Sequence, residues 1–125
     1  MARPIGWPTS AERMTTFFAI LQLPVRHDGE DEFVRRFAEL GIFELCGSRT
    51  GLLAARLLRP ADRGEPFVVV SEWDGEESYR AWIADPERNR VNAGLLPFLE
   101  GELRGGLYNA AESWRAEDGR GGGRA

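Results

Sequence analysis

The stretch FVVVSEWDGEESYRAWIADPERNRVNAG, residues 67–94, decides the fold of this chain. It opens as a short apolar run that ends at Trp73, which is typical of a buried strand. After it, apolar side chains recur at Tyr79, Trp82 and Ile83, which is the spacing of one helix face. The change of period predicts a strand that runs directly into a helix.

Two signals bound this helix. Asp74 is placed to accept from the free amides of the first turn, and Glu77, three residues later, completes the pattern of a capping box. Asp85-Pro86 then ends the helix and begins another, because proline disfavours helical geometry in the residue before it and fits a first helical position. The sequence therefore predicts a helix broken in two.

The remainder of the chain supplies the other elements. A helix that Asp28 would cap carries one apolar stripe, made of Phe33, Val34, Phe37 and Leu40. The first strand is apolar on both alternating faces, which indicates cover on two sides. The predicted segments are a strand over residues 14–25, a connection over 41–51, strands over 51–58 and 67–73 joined by a polar loop over 59–66, and a last strand over 107–114.

This order is β-α-β-β-α-β, the ferredoxin-like arrangement of an α+β protein, with the second helix broken. Such a sheet carries helices on one face only, so a monomer would expose the other apolar face. We therefore expect a homodimer in which two sheets pack face to face into a shared α/β barrel. The domain is predicted over residues 14–114, between an N-terminal arm over 1–13 and a disordered glycine- and arginine-rich tail over 115–125.

Composition excludes several classes of function. The net charge is -4, and none of the 16 basic residues, all arginine, forms a cluster interleaved with aromatics, so no nucleic-acid partner is expected. One cysteine and one histidine do not make a metal site or an internal disulfide. No apolar run reaches the roughly 18 residues of a membrane span, and the N-terminus lacks the apolar centre of a signal peptide. We expect a cytoplasmic protein that does not bind membranes.

Three polar residues stand out as candidate functional groups, and each has a structural alternative. His27 has an unperturbed pKa suited to general base work near neutrality, although a loop histidine is often only solvated. Gln22 is the interior polar side chain of the first strand and either lines a cavity or bonds to backbone. Arg56 alternates with apolar neighbours, so it either reaches a cavity or pairs with a carboxylate such as Glu72.

At this point the residues resemble the antibiotic-biosynthesis monooxygenase family of dimeric α/β-barrel proteins, over about residues 14–114. The carriers are LLAARLLRP at 52–60, FVVVSEW at 67–73 and ESYRAWIADPERN at 77–89. In these segments Trp73, Tyr79 and Trp82 stand at the family's usual aromatic positions. The resemblance implies the fold named above.

The family includes oxygenases that act on polyketide anthrones without metal or flavin, heme-degrading oxygenases, quinol oxygenases, polyketide cyclases and proteins of no known activity. Heme-degrading relatives place a histidine ligand ten residues after the helix tryptophan, where this chain has Asn92. They also use an asparagine in the first strand, where it offers Leu21 or Gln22. An amide does not replace imidazole on heme iron, so the heme branch is disfavoured and no cofactor is expected.

The resemblance also implies a chemistry. A deprotonated phenolic polycycle gives an electron to dioxygen, and the resulting peroxide loses water to leave a quinone, in a water-poor cavity with oxyanion donors. The expected catalytic residues are Trp82, Asn92, His27 and Tyr79, and the expected substrate-binding residues are Trp73, Arg56, Gln22, Tyr108 and Asn109. Trp73 and Trp82 would offer flat surfaces and indole N–H donors. A cyclase that needs no oxygen and a non-catalytic subunit that binds a hydrophobic metabolite are the alternatives.

Overall fold

The computed structural model describes residues 17–116, in which a four-stranded sheet carries helices on one face. The elements are β1 (Phe17–Leu23), α1 (Glu30–Leu40), α2 (Ile42–Arg49), β2 (Leu52–Leu58), β3 (Phe67–Trp73), α3 (Glu76–Ala84), α4 (Pro86–Asn92) and β4 (Arg104–Asn109). Short 3-10 turns, His27–Gly29 and Ala93–Phe98, precede α1 and follow α4. The strand order is β2-β3-β1-β4 and each neighbouring pair is antiparallel. The predicted ferredoxin-like α+β fold is confirmed.

Alternation along the two central strands separates the faces of the sheet. On one face, Phe17 and Leu23 of β1 and Phe67 and Trp73 of β3 are buried in the core beneath the helices. The alternate residues of each strand point to the opposite face, which no helix of residues 17–116 covers. We call this opposite surface the open face and define it by Phe18, Ile20, Val68 and Val70.

α1 is held to the sheet by aromatic contacts. Phe33 is fully buried, and its ring meets Phe67 edge-on with centroids 5.0 Å apart. Phe37 is also buried and packs against Phe43 of α2 at 5.2 Å. Val34 is 37% exposed, so the apolar stripe of α1 is narrower than predicted.

Both predicted helix caps are wrong. α1 follows a 3-10 turn and has Gly29 at its N-cap, without a side-chain bond from Asp28. α3 has Gly75 at its N-cap, because the Asp74 carboxylate accepts from the Ser78 hydroxyl at 2.5 Å and not from the first-turn amides. The capping box with Glu77 is therefore not formed.

The predicted break between two helices is confirmed. α3 ends at Ala84 and α4 begins at Pro86. Between them, Asp85 is extended and its carboxylate accepts from the Glu87 amide at 2.9 Å. The residue before the proline is thus a true N-cap.

The connection predicted over residues 41–51 contains a helix, α2. Gly41 adopts a left-handed conformation, with φ of 63°, which ends α1 and lets α2 start at the next residue. Ile42 and Cys46 are buried one turn apart on α2. The apolar face of α2 is short, and Gly47 and Ser48 follow it directly, so the sequence pattern does not indicate a helix.

The last strand was predicted over residues 107–114. In the structure it begins three residues earlier, at Arg104, and ends at Asn109. Gly105 and Gly106, which precede the predicted strand, are inside β4 and pair with Leu21 and Ile20. A Cβ on Gly105 would lie 3.2 Å from the Ile20 carbonyl oxygen, so the absence of a side chain permits the close pairing. β1 likewise ends at Leu23.

Some predictions fall on residues outside the described range. Residues 14–16 of the first strand, the N-terminal arm over residues 1–13 and residues 117–125 of the tail are among them.

Candidate active site

A cavity of about 390 Å³ lies between the helix-covered face of the sheet and the helices. Its volume is within the range of about 300–1,000 Å³ that is usual for small-molecule sites. The sheet forms its floor with Ala19, Leu21, Ala55, Val69, Ser71 and Trp73, and the helices form its walls with Ile42, Phe43, Cys46, Tyr79, Trp82, Ile83, Arg88 and Asn92. Leu96, Leu103 and Leu107 also line the cavity and are exposed to solvent, so they lie at its opening.

Three large aromatic residues form the flat part of the lining. Trp73, at the end of β3, is 2% exposed and meets Tyr79 edge-on, with ring centroids 5.5 Å apart and planes at 82°. Trp82 is 8% exposed and lies three residues after Tyr79, on the same face of α3. The strand-to-helix switch that decides the fold therefore also assembles this aromatic wall.

The indole N–H of Trp73 is already used within the protein. It donates to the Ser71 hydroxyl at 2.9 Å, and Ser71 donates in turn to the Ala19 carbonyl at 3.3 Å. Ser71 is itself buried, so this short chain satisfies both donors away from water. The contribution of Trp73 to the cavity is its ring, not a free donor.

The opposite wall comes from α4, where Arg88 and Asn92 lie one helical turn apart and both line the cavity. Arg88 is the single charged side chain among the described lining residues. Both side chains are partly buried. Within residues 17–116, neither makes a side-chain hydrogen bond, and the same holds for the Tyr79 hydroxyl and the Trp82 indole.

α4 is anchored at its start by Asp85, whose carboxylate pairs with Arg49 at the end of α2. The hydrogen bond from Arg49, together with that from the Glu87 amide, holds the pKa of Asp85 below its ordinary value. This ion pair holds the start of α4, the helix on which Arg88 and Asn92 line the cavity, against α2.

Cys46 contributes a thiol to the α2 wall. It is 3% exposed, and its sulfur lies 3.6 Å from the Thr50 hydroxyl. Since that hydroxyl donates to the Cys46 carbonyl at 2.8 Å, the thiol is the donor in this contact. Burial raises the pKa of the Cys46 thiol from its ordinary value, which favours the neutral thiol.

The cavity brings together four of the nine residues expected from the sequence, namely Trp73, Tyr79, Trp82 and Asn92. The others lie elsewhere. His27 is exposed in the turn before α1, away from the lining. Asn109 is exposed at the end of β4.

Three of the remaining residues lie outside the cavity for one reason, which is strand register. Arg56 pairs with Val70, Gln22 with Val68 and Tyr108 with Phe18. Directly paired residues share a face, so all three side chains belong to the open face. Since side chains alternate along a strand, a polar residue within an apolar run has even odds of facing away from the helices.

Arg88, Ser71 and Cys46 were not expected in the site. The available signal for Arg88 was its position four residues before Asn92 on the helix that Pro86 begins. Ser71 precedes Trp73 by two positions on β3 and so shares its face. Residues 17–116 contain no group of three acidic, histidine or cysteine side chains arranged to hold a metal, and no helix in that range is long and apolar enough to span a bilayer.

Comparison with known proteins adds the following. A monooxygenase from the gene ActVA-Orf6 of Streptomyces coelicolor, solved with the ligand nanaomycin D, is 22% identical, with 88% of this chain and 100% of that chain covered and a TM-score of 0.69. SnoaB, a cofactor-independent oxygenase from Streptomyces nogalater, is 21% identical, with 78% and 93% covered and a TM-score of 0.59. A conserved protein from Methanosarcina mazei Go1 is 17% identical, with 79% and 96% covered and a TM-score of 0.67.

These likenesses show the fold. A search of curated proteins found no match. The family model described as antibiotic biosynthesis monooxygenase matches residues 16–93. Because that match spans more than half of the sequence, this chain belongs to the antibiotic biosynthesis monooxygenase family.

Proposed function

We propose that this protein is a cofactor-independent monooxygenase that oxidises a phenolic polycyclic aromatic compound of the anthrone type to a quinone in secondary metabolism. The observation that carries the proposal is the apolar cavity itself, with aromatic rings on α3 and β3 and, on α4, polar side chains that make no side-chain hydrogen bond within residues 17–116. The family supports it, as does the likeness to SnoaB and the ActVA-Orf6 monooxygenase.

A flat substrate fits such a lining. The ring of Trp82 and the Trp73–Tyr79 pair offer broad aromatic surfaces for contact with a fused ring system. The aliphatic floor, including Ala19, Leu21 and Val69, would displace water from the ring. A water-poor site strengthens the electrostatic contacts made to the reacting oxygen.

In the proposed reaction the substrate supplies the electrons. Loss of a proton from the anthrone methylene gives an enolate, which transfers one electron to dioxygen. The substrate radical and superoxide then combine to a carbon-bound peroxide, which takes up a proton and loses water as the second methylene hydrogen leaves. One oxygen atom ends in the new carbonyl and the other in water, so the step needs no further reductant.

The protein's role is to bind the enolate and favour its formation. We assign the Tyr79 hydroxyl, the Trp82 indole N–H and the Asn92 amide as donors to the developing oxyanion. His27 lies outside the cavity, so we do not assign it as the base. The proton is instead released to water at the mouth of the cavity, driven by stabilisation of the anion.

We further propose that the protein acts as a homodimer through the open face. Phe18, Ile20, Val68 and Val70 form adjacent apolar rows on the two central strands, and packing them on a second sheet removes that surface from water. Placement in the cytoplasm agrees with a single cysteine that is buried as a thiol.

The experiment is turnover of 1,8-dihydroxyanthrone by the purified protein, measured by oxygen consumption and by quinone absorbance, against a blank without protein for spontaneous oxidation. We expect quinone to form faster than in the blank, with one dioxygen consumed for each quinone. Replacing Trp82 with alanine should reduce the rate, whereas Trp114→Phe, at an exposed tryptophan outside the cavity, should not.

The alternatives predict different results, in this assay or in one with a polyketide substrate and no oxygen. A cyclase would convert a polyketide substrate equally well without oxygen. A binding subunit would retain an aromatic ligand and leave the rate of oxidation at the blank value. Either result would overturn the oxygenase assignment.

A further inference from the structure

Arg88 contributes a positive charge to the cavity lining, and no described lining residue contributes a negative one. Its side chain lines an apolar cavity in which, among the described residues, no other side chain carries a charge. No aspartate or glutamate of residues 17–116 lines the cavity. Arg88 is partly buried, so its charge is not fully solvated.

The neighbouring arginines are arranged differently. Arg80 on α3 pairs with Glu76, and Arg90 on α4 pairs with Glu87, both on the protein surface. No carboxylate of residues 17–116 forms an ion pair with Arg88. Within residues 17–116, the guanidinium in the cavity therefore lacks the carboxylate partner that Arg80 and Arg90 have.

A second carboxylate close to Arg88 in sequence, Asp85, is already engaged. Asp85 lies three residues before Arg88, a spacing that allows a pair on a helix. Its two oxygens instead bind Arg49 and the Glu87 amide. Asp85 therefore pairs with Arg49, and no carboxylate of residues 17–116 pairs with Arg88.

A guanidinium in such surroundings favours a ligand anion. Its planar donors match a carboxylate, or a phenolate with an adjacent oxygen, in a two-point contact. Asn92, one turn further along α4, adds an amide donor on the same side of the cavity. Aromatic walls on α3 and β3 would hold the ring while α4 holds the charged end.

We infer that the cavity selects aromatic ligands that carry an ionised oxygen group, bound at Arg88 with Asn92 beside it. For the reaction this rests on the proposed function, where Arg88 would favour the ionised form of a phenolic substrate; the binding selectivity itself does not depend on oxygen chemistry. The ligand class is thereby narrowed from flat aromatic compounds to aromatic carboxylates and phenolates.

The test is anaerobic binding of two probes with the same ring system, 9-anthracenecarboxylate and neutral 9-anthracenemethanol, followed by quenching of tryptophan fluorescence. We expect the wild type to bind the carboxylate about tenfold or more tightly than the alcohol. Arg88→Gln should abolish that preference and leave alcohol binding within about twofold. Arg90→Gln, which removes the same charge from an exposed ion-paired position on α4, is the matched control and should keep the preference.

Equal binding of the two probes by the wild type would overturn the inference, as would equal loss of preference in Arg88→Gln and Arg90→Gln. A second measurement uses the wild type alone: the absorbance of bound 2-naphthol, titrated with pH, should show that its phenol ionises at a lower pH than in water. An unchanged or higher value would also overturn the inference.

The two proposals fail separately. Anion selectivity without oxygen-dependent turnover would remove the oxygenase assignment and keep the anion site. Turnover of a phenolic anthrone without any selectivity for the charged probe would keep the oxygenase assignment and remove the anion site.

Discussion

Arg49 and Asp85, 36 positions apart in the chain, form a two-point ion pair. Arg49 Nε lies 2.5 Å from one carboxylate oxygen and a terminal guanidinium nitrogen lies 3.2 Å from the other. The carboxylate side chain is only 10% exposed and also accepts from the Glu87 amide. One side chain therefore joins the end of α2 to the junction of α3 and α4, three helices that wall the cavity.

Replacing Asp85 with asparagine should lower stability in a pH-dependent way. Its folded-state pKa is depressed, mainly by the hydrogen bond from Arg49, so its stabilisation is full above the ordinary aspartate value of 3.8 and is lost as pH falls through the lower folded value. The difference in urea midpoint between wild type and Asp85→Asn should be large at pH 7 and should shrink as the pH falls below the ordinary aspartate value. Glu102→Gln, at an exposed carboxylate without an ion pair in residues 17–116, should show little difference at pH 7. A gap for Asp85→Asn that stays constant with pH would contradict the ion-pair account.

Removing the Ser71 hydroxyl should destabilise the protein through Trp73. Ser71→Ala leaves the buried indole N–H without its acceptor, which costs about 1–3 kcal/mol in the free energy of unfolding. Ser48→Ala deletes an exposed hydroxyl that donates to the Leu45 carbonyl and should change that free energy by less than about 0.5 kcal/mol. Urea unfolding of both variants measures the difference. Equal effects would show that the Ser71–Trp73 bond adds nothing.

Cys46 should react slowly and should be protected by ligand. Only the thiolate reacts, and burial raises the pKa of Cys46, so the rate of alkylation by iodoacetamide should still be rising at pH 9. An aromatic ligand in the cavity should slow the reaction further, because Cys46 lines the wall. Protein unfolded in urea should react at the rate of a free cysteine and is the control. A thiol that reacts at full rate at pH 7 would contradict its position in the wall.

A charge on the open face should disrupt the proposed dimer. Val70 lies on the open face of the central strand β3, so Val70→Glu should convert a dimer to a monomer in analytical ultracentrifugation at micromolar concentration. Val34→Glu, on the partly exposed side of α1, should leave the dimer intact. A monomeric wild type, or an effect of Val34→Glu as large as that of Val70→Glu, would argue against dimerisation through this face.

The sequence predicted the elements whose signals are local. β3 has the predicted bounds, and the helix break at Asp85-Pro86 was found because proline constrains the backbone independently of tertiary contacts. The elements with weak local signals were misplaced. α2 has a short apolar face, and β4 contains Gly105 and Gly106, whose presence in a strand depends on the close approach of β1.

Site residues on helices were easier to predict from the sequence than site residues on strands. On α3 and α4 the helical period places Tyr79 beside Trp82 and Arg88 beside Asn92. When one member of such a pair lines the cavity, the other is expected to line it as well. On a strand, alternate side chains point to opposite faces of the sheet, and the sequence does not show which set faces the helices. Ser71 and Trp73 face the helices, whereas Arg56, Gln22 and Tyr108 face away.

The central claim is that the substrate in this cavity supplies the electrons that reduce dioxygen. The most direct measurement is mass spectrometry of the quinone formed from a phenolic anthrone under dioxygen labelled with oxygen-18, in unlabelled water, with rapid quenching. The account predicts one labelled oxygen atom in the product carbonyl. A quinone without label under dioxygen-18, or one that takes its oxygen from labelled water, would contradict it.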